Sequence, residues 1–126
     1  MVLTRQGIGL EEFLKLPEEK PALEYLEGTV SQKVSPKTRH SKLQGQLVEW
    51  INGFARPHRL GEAFPELRAT FGGASPVPDV VVLTWDHIPY DERGIVVDDL
   101  FQAPDIAILI ISPEQSVTSL IRKCLW

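Results

Sequence analysis

The order of elements legible in the sequence, α, β, β, α, β, β, β, β, α, predicts an α/β domain with a central mixed β-sheet flanked by helices. Three observations carry that expectation. Leu43, Leu47, Ile51 and Phe54 recur at helical spacing through one long segment. Val80 to Leu83 and Ile106 to Ile111 are unbroken aliphatic runs, rich in β-branched residues and short enough to be strands buried on both faces. Prolines and glycines fall mostly between these stretches, as connectors do, with no internal repeat or low-complexity segment.

Taken in order, Leu10 to Leu16 forms a short helix stopped at Pro17. Leu23 to Leu26 and Thr29 to Val34 read as strands joined through Glu27-Gly28, where glycine supplies a permissive backbone. Ser35-Pro36 announces the long helix, in which Val48 and Trp50 flank the apolar stripe and which ends by Arg56-Pro57. Glu62 to Phe64 and Leu67 to Phe71 are strand-like, and Gly72-Gly73 closes them in a turn. A polar loop from Asp86 to Asp99 separates the two buried strands. Ser112-Pro113-Glu114-Gln115 then marks a helix start, with a capping serine, proline at the first helical position and glutamine three residues after the cap. Val117, Leu120, Ile121, Cys124 and Leu125 continue an apolar face to Trp126 with no terminating glycine.

Residues 1–126 therefore read as one domain without a linker. Because the last helix ends in mid-pattern, either the domain is incomplete at its C-terminus or a second copy covers the apolar end, as in a homodimer; the first reading is preferred. With 43% hydrophobic and 24% charged residues, the composition excludes a disordered chain and a collagen-like fibre. No run is long enough for a membrane span, and Met-Val-Leu-Thr-Arg-Gln lacks the apolar core of a signal peptide, so a cytoplasmic protein is expected. The single cysteine, Cys124, forbids an internal disulfide and fits a reducing compartment. A net charge of −4 repels nucleic acid overall, so any phosphate-binding surface must be local.

Position alone singles out two acids, Asp79 and Asp105, each entering a strand behind a proline; the plainer role for either is a loop-closing turn hydrogen bond. His40, with Lys37, Arg39 and Lys42, suits phosphate contact at a helix N-terminus, against the alternative of a solvated first turn. His87 beside Asp86 is a metal pair by composition only, and a surface loop is preferred. Trp50 and Trp85 are expected in core or rim packing rather than as base-stacking platforms.

The run Glu24-Tyr25-Leu26-Glu27-Gly28, then His40, then Pro78-Asp79-Val80-Val81-Val82, then Ala103-Pro104-Asp105-Ile106-Ala107-Ile108-Leu109-Ile110-Ile111-Ser112-Pro113, then Arg122-Lys123-Cys124-Leu125-Trp126 resembles the Uma-two family of restriction endonucleases, within the PD-(D/E)xK nuclease superfamily. The resemblance runs from about Leu10 to the end of the chain. It implies a restriction-endonuclease-like fold and magnesium-dependent hydrolysis of DNA phosphodiesters, a hard cation being held by carboxylate oxygens and neutralising the scissile phosphate. It also implies a domain that continues past the last helix with further strands. Carried over by position, Asp79 matches the metal-binding aspartate and Lys123 the catalytic lysine, here on a helix. Glu24 matches the acid of the first strand, close to the metal.

One departure weakens that assignment. The family's catalytic glutamate falls at Leu109, which cannot hold a cation. Asp105 is four residues along the strand, roughly 13 Å away, and does not replace it. Glu114 is also poorly placed. Unless Glu24 or Glu66 compensates, the expected enzyme binds magnesium weakly and cleaves slowly or not at all. The alternatives are a non-catalytic nucleic-acid-binding relic, favoured by Leu109, and a self-associating structural domain, favoured by the acidic balance and the apolar helix end. If the site reading holds, Asp79 and Leu109 lie on adjacent strands with Lys123 facing the same cleft.

Overall fold

A computed structural model describes residues 4–112 and residue 118. The protein is a mixed α/β domain, as its sequence predicts. Strand β1 (Thr4–Gln6) precedes a short helix, α1 (Leu10–Leu14), which ends before Pro17. Strands β2 (Leu23–Leu26) and β3 (Thr29–Gln32) form a hairpin. Its two central residues, Glu27 and Gly28, sit at φ 51° and 76°, the double left-handed turn whose twist matches antiparallel strands. Helix α2 (Thr38–Ala55) leads to β4 (Gly61–Pro65). Strand β5 (Val80–Thr84), a short 3-10 turn at Trp85–His87, and β6 (Ile106–Ile108) follow.

Instead of one mixed sheet, the described strands form two three-stranded antiparallel sheets, β1-β3-β2 and β4-β5-β6. The reason lies in α2. A mixed sheet needs a helix that crosses back to its own sheet, whereas α2 leaves the first sheet at β3 and delivers the chain to the second at β4. Reciprocal backbone bonds between Tyr25 and Ser75, 3.2 and 2.8 Å, tie the first sheet to the segment that joins β4 to β5.

Strand β5 is the buried centre of its sheet. Val81 and Leu83 pack with Ala69, Ile88 and Leu100, while Val80 and Val82 face Ala63 and the α2 residues Leu47, Val48 and Ile51. A separate cluster of Phe13, Leu23, Tyr25 and Val30 underlies the first sheet. Asn52 clips α2 to β4, accepting from the Ala63 amide at 2.8 Å and donating to its carbonyl at 3.1 Å. At Gly61 a Cβ would press on the Leu83 carbonyl oxygen, so this close pairing with β5 requires glycine.

Three further expectations change. Leu67 to Phe71 is not a strand: Ala69 and Phe71 make only isolated bridges, because the chain there turns back on itself through Gly72-Gly73 to Ala74. Ile106 to Ile111 shortens to three residues and is not buried on both faces; β6 pairs only with β5 among the described residues, and Ile106 is 54% exposed. Trp50 is 67% exposed rather than packed, since α2 turns Leu47, Val48 and Ile51 inward instead. His87 is exposed, as the preferred surface-loop reading has it, and pairs with Asp105. Of the helix expected from Ser112 onward, Thr118 is described and is helical, whereas Glu114, Lys123, Cys124 and Trp126 lie outside the described residues. No helix among the described residues is long and apolar enough to cross a membrane.

Candidate functional site

Asp79 immediately precedes β5, and its residue is 3% exposed. A buried carboxylate is tolerable only where hydrogen bonds and opposite charge replace water, and here they do. The Ile110 amide donates to Oδ2 at 2.7 Å. The Lys33 ammonium reaches Oδ1 at 2.9 Å, and His40 Nε2 reaches the same oxygen at 3.1 Å. The other ring nitrogen, Nδ1, lies 2.9 Å from the Ser112 hydroxyl, which can either donate to it or accept from it. The β5–β6 register pairs Val80 with Ile108; continued by a step, it sets Asp79 opposite the half-buried Leu109. Asp79 and Leu109 themselves lie one residue outside β5 and β6.

Three elements bring the other groups in. Lys33 directly follows β3, with its amide bonded to the Ala22 carbonyl at 2.8 Å. His40 and Gln44, four residues apart, project from the same side of α2. Glu66 follows β4 in the left-handed region at φ 49°, and its amide bonds to the Asp79 carbonyl at 3.1 Å. Lys33 Nζ approaches both Glu66 oxygens, at 3.2 and 3.4 Å, and the Val77 carbonyl at 2.8 Å. Gln44 donates to the Asp79 carbonyl at 2.7 Å and to Glu66 at 3.2 Å. One ligand atom from each of His40, Glu66 and Asp79 falls within 4.8 Å of the others.

Glu24 is placed differently from that trio. It is 1% exposed on β2 and accepts the Val77 amide at 2.8 Å, so it steadies the residue whose carbonyl, in the next peptide, binds Lys33. Arg39 and Lys42 stand exposed on the first turns of α2, near His40. Asp105 lies at the far end of β5, where the Thr84 amide and His87 Nδ1 both bond to it at 2.8 Å. The Thr84 amide, followed by His87, holds its carboxyl below the usual aspartate range. Lys123 lies outside the described residues.

The cluster opens into a cleft of about 800 Å³, lined by Lys33, His40, Gln44, Glu66, Arg68 and Asp79 among others. That size is within the span of small-molecule and substrate clefts. On its rim Arg68 forks onto Glu18, at 3.0 and 2.8 Å, and this hydrogen bonding lowers the Glu18 carboxyl below its usual range against the opposing effect of partial burial.

Sequence reasoning named Asp79 and His40 and raised Glu66 as a substitute acid, but missed Lys33 and Gln44. Gln44 carries a signal, its helical spacing from His40. Lys33 carries little, because a lysine ending a strand reads as a solvated residue.

The His40, Glu66 and Asp79 donors at the entrance to a buried strand are a set that could hold a metal ion. The model of the Uma-two family (Uma2), described as "Putative restriction endonuclease", matches residues 10–125, and the chain belongs to that family. It is also similar to a crystallised protein from Anabaena variabilis ATCC 29413, titled a "putative nuclease belonging to DUF820". The two share 46% identity and a TM-score of 0.91, over 94% of this chain and 66% of that one. The chain thus spans just under two thirds of that neighbour's length. No curated protein matches it.

Proposed function

We propose that the protein is a metal-dependent DNA endonuclease whose chemistry centres on Asp79. The observation that carries this reading is the convergence of the buried Asp79 carboxylate, Glu66 and His40 at the mouth of a cleft, in a chain of this family. The carboxylate oxygens of Asp79 and Glu66 suit a hard divalent cation such as magnesium, while His40 stays hydrogen-bonded to Asp79 beside them. Such a cation, when bound, neutralises phosphate charge and lowers the pKa of a water molecule.

The chain's own residues do the rest. The Ile110 amide and His40 fix the Asp79 carboxylate so that it needs no reorganisation. Gln44 ties Glu66 to the Asp79 backbone. Glu24 orients the Val77 peptide and acts as a positioning residue. Arg39 and Lys42 supply phosphate contacts beside the cleft, and Lys123 retains the role that its family position implies. Glu66 takes the part that Leu109 cannot play. Supercoiled plasmid nicking with magnesium or manganese tests this: the parent converts plasmid to open circles, and Asp79→Asn lowers the rate by at least a hundredfold. Equal rates in the two proteins would exclude Asp79 as the centre.

A second reading is a nucleic-acid-binding protein without cleavage. It is favoured by leucine at position 109, where the family pattern carries its catalytic glutamate, and would show as metal-independent DNA binding with no nicking.

A further inference from the structure

The Lys33 ammonium lies where the carboxylates of Asp79 and Glu66 converge. Its side chain is 8% exposed, and its Nζ has oxygens of Asp79 at 2.9 Å, Val77 at 2.8 Å and Glu66 at 3.2 and 3.4 Å. An ammonium surrounded by two carboxylates and a carbonyl has the oxygen-donor surroundings of a bound hard cation. The cation is covalently part of the chain and resides at the end of β3, opposite the elements that carry its partners. Asp79 Oδ1 also takes His40, and Oδ2 takes the Ile110 amide, so little acceptor capacity is left for an added ion while Lys33 remains.

We infer that Lys33 is a built-in competitor of the divalent cation: ammonium and metal exchange for the same Asp79–Glu66 oxygens, and metal binds only when Lys33 withdraws. The inference rests on the reading of this cluster as the cation site. It deepens that reading by making Lys33 the regulator of occupancy. Withdrawal carries the ammonium toward the cleft that Lys33 lines, where an anion such as phosphate compensates it. Metal and phosphate then bind more tightly together than either does alone.

The test is a titration of the intact chain with manganese, without nucleic acid, read by calorimetry and by the loss of free-manganese paramagnetic resonance signal. Lys33→Met keeps an unbranched stem and removes the charge; it should bind manganese at least tenfold more tightly than the parent. Adding Glu66→Gln to Lys33→Met should abolish that gain. Inorganic phosphate should tighten manganese binding by the parent and leave Lys33→Met unaffected. Should Lys33→Met not fold, Lys33→Gln, which retains donor hydrogens without charge, is expected to show the same gain. Equal manganese affinity in parent and variant, or a gain that survives Glu66→Gln, overturns the inference. Metal-dependent nicking by the parent alongside equal manganese affinities would sink the competition and leave the nuclease standing. Tighter manganese binding by Lys33→Met without nicking by any variant would do the reverse.

Discussion

Asp79 was legible in the sequence because a proline and a run of β-branched residues bracket it, and that pattern fixes a carboxylate at the mouth of a buried strand. Its surroundings were less legible. Lys33 arrives from a different sheet, and Glu66 is aimed by a left-handed backbone that no side-chain pattern announces. The missing acid at position 109 can therefore be tested directly. If the β5–β6 register continues one residue past Val80 and Ile108, Leu109→Glu places a second carboxylate opposite Asp79, where like charges repel and partial burial disfavours ionisation. Without metal the variant should melt below the parent; with manganese at a hundred times its Kd it should gain about 2.7 kcal/mol. The parent should gain less, and an equal metal response in thermal melts would show that position 109 does not face the cation. Asp105 offers a separate check. Its depressed carboxyl contributes stability that is present above the ordinary aspartate pKa and lost as pH falls through the lower folded value. Because the Thr84 amide is the larger cause and His87 the smaller, the carbon-13 NMR titration midpoint of Asp105 should rise in His87→Ala yet stay below the usual aspartate range. A midpoint at the ordinary value would mean that the Thr84 bond does not persist in solution.

The elements that could be read correctly are those whose periodicity is enforced by burial. The central strand β5 packs against side chains on both faces, and the inward stripe of α2 at Leu47 and Ile51 faces it. Leu67 to Phe71 alternates in the same way, but the backbone reverses within it and leaves isolated bridges, so alternation misleads where a turn outcompetes pairing. The strand β6 was misread for another reason: an aliphatic run indicates strand propensity but not how many neighbours cover it. What anchors α2 against the second sheet was also silent in the pattern. A single amide, Asn52, satisfies both backbone groups of Ala63 on β4. Asn52→Ala leaves that amide and carbonyl without their side-chain partner and should cost about 1–3 kcal/mol, read as a lower urea midpoint at unchanged slope. Because α2 also carries His40 and Gln44, the same variant should weaken manganese binding even though position 52 touches neither. A stability loss with unaltered metal affinity would show that the start of α2 is held independently of its far end.

Charge decides how the proposed substrate could be held. At a net −4 the protein has no general attraction for DNA, so binding depends on a few cations placed beside the cleft. Lys33 is engaged with carboxylates and Arg68 with Glu18, whereas Arg39 and Lys42 stand exposed on the first turns of the helix that bears His40. Contacts of this kind release counterions and carry no sequence information, so they set affinity and its salt dependence together. Each phosphate neutralised on duplex DNA contributes roughly −0.9 to the slope of log affinity against log salt. If Arg39 and Lys42 each hold a phosphate, the double variant Arg39→Ala/Lys42→Ala should reduce the magnitude of that slope by about 1.8 and weaken binding equally for unrelated duplex sequences. Fluorescence anisotropy with two such duplexes over a range of potassium chloride, in calcium to support binding without turnover, reads both quantities. An unchanged slope would move the nucleic-acid path away from the start of α2, and a loss confined to one duplex would turn these residues from phosphate anchors into readers of base sequence.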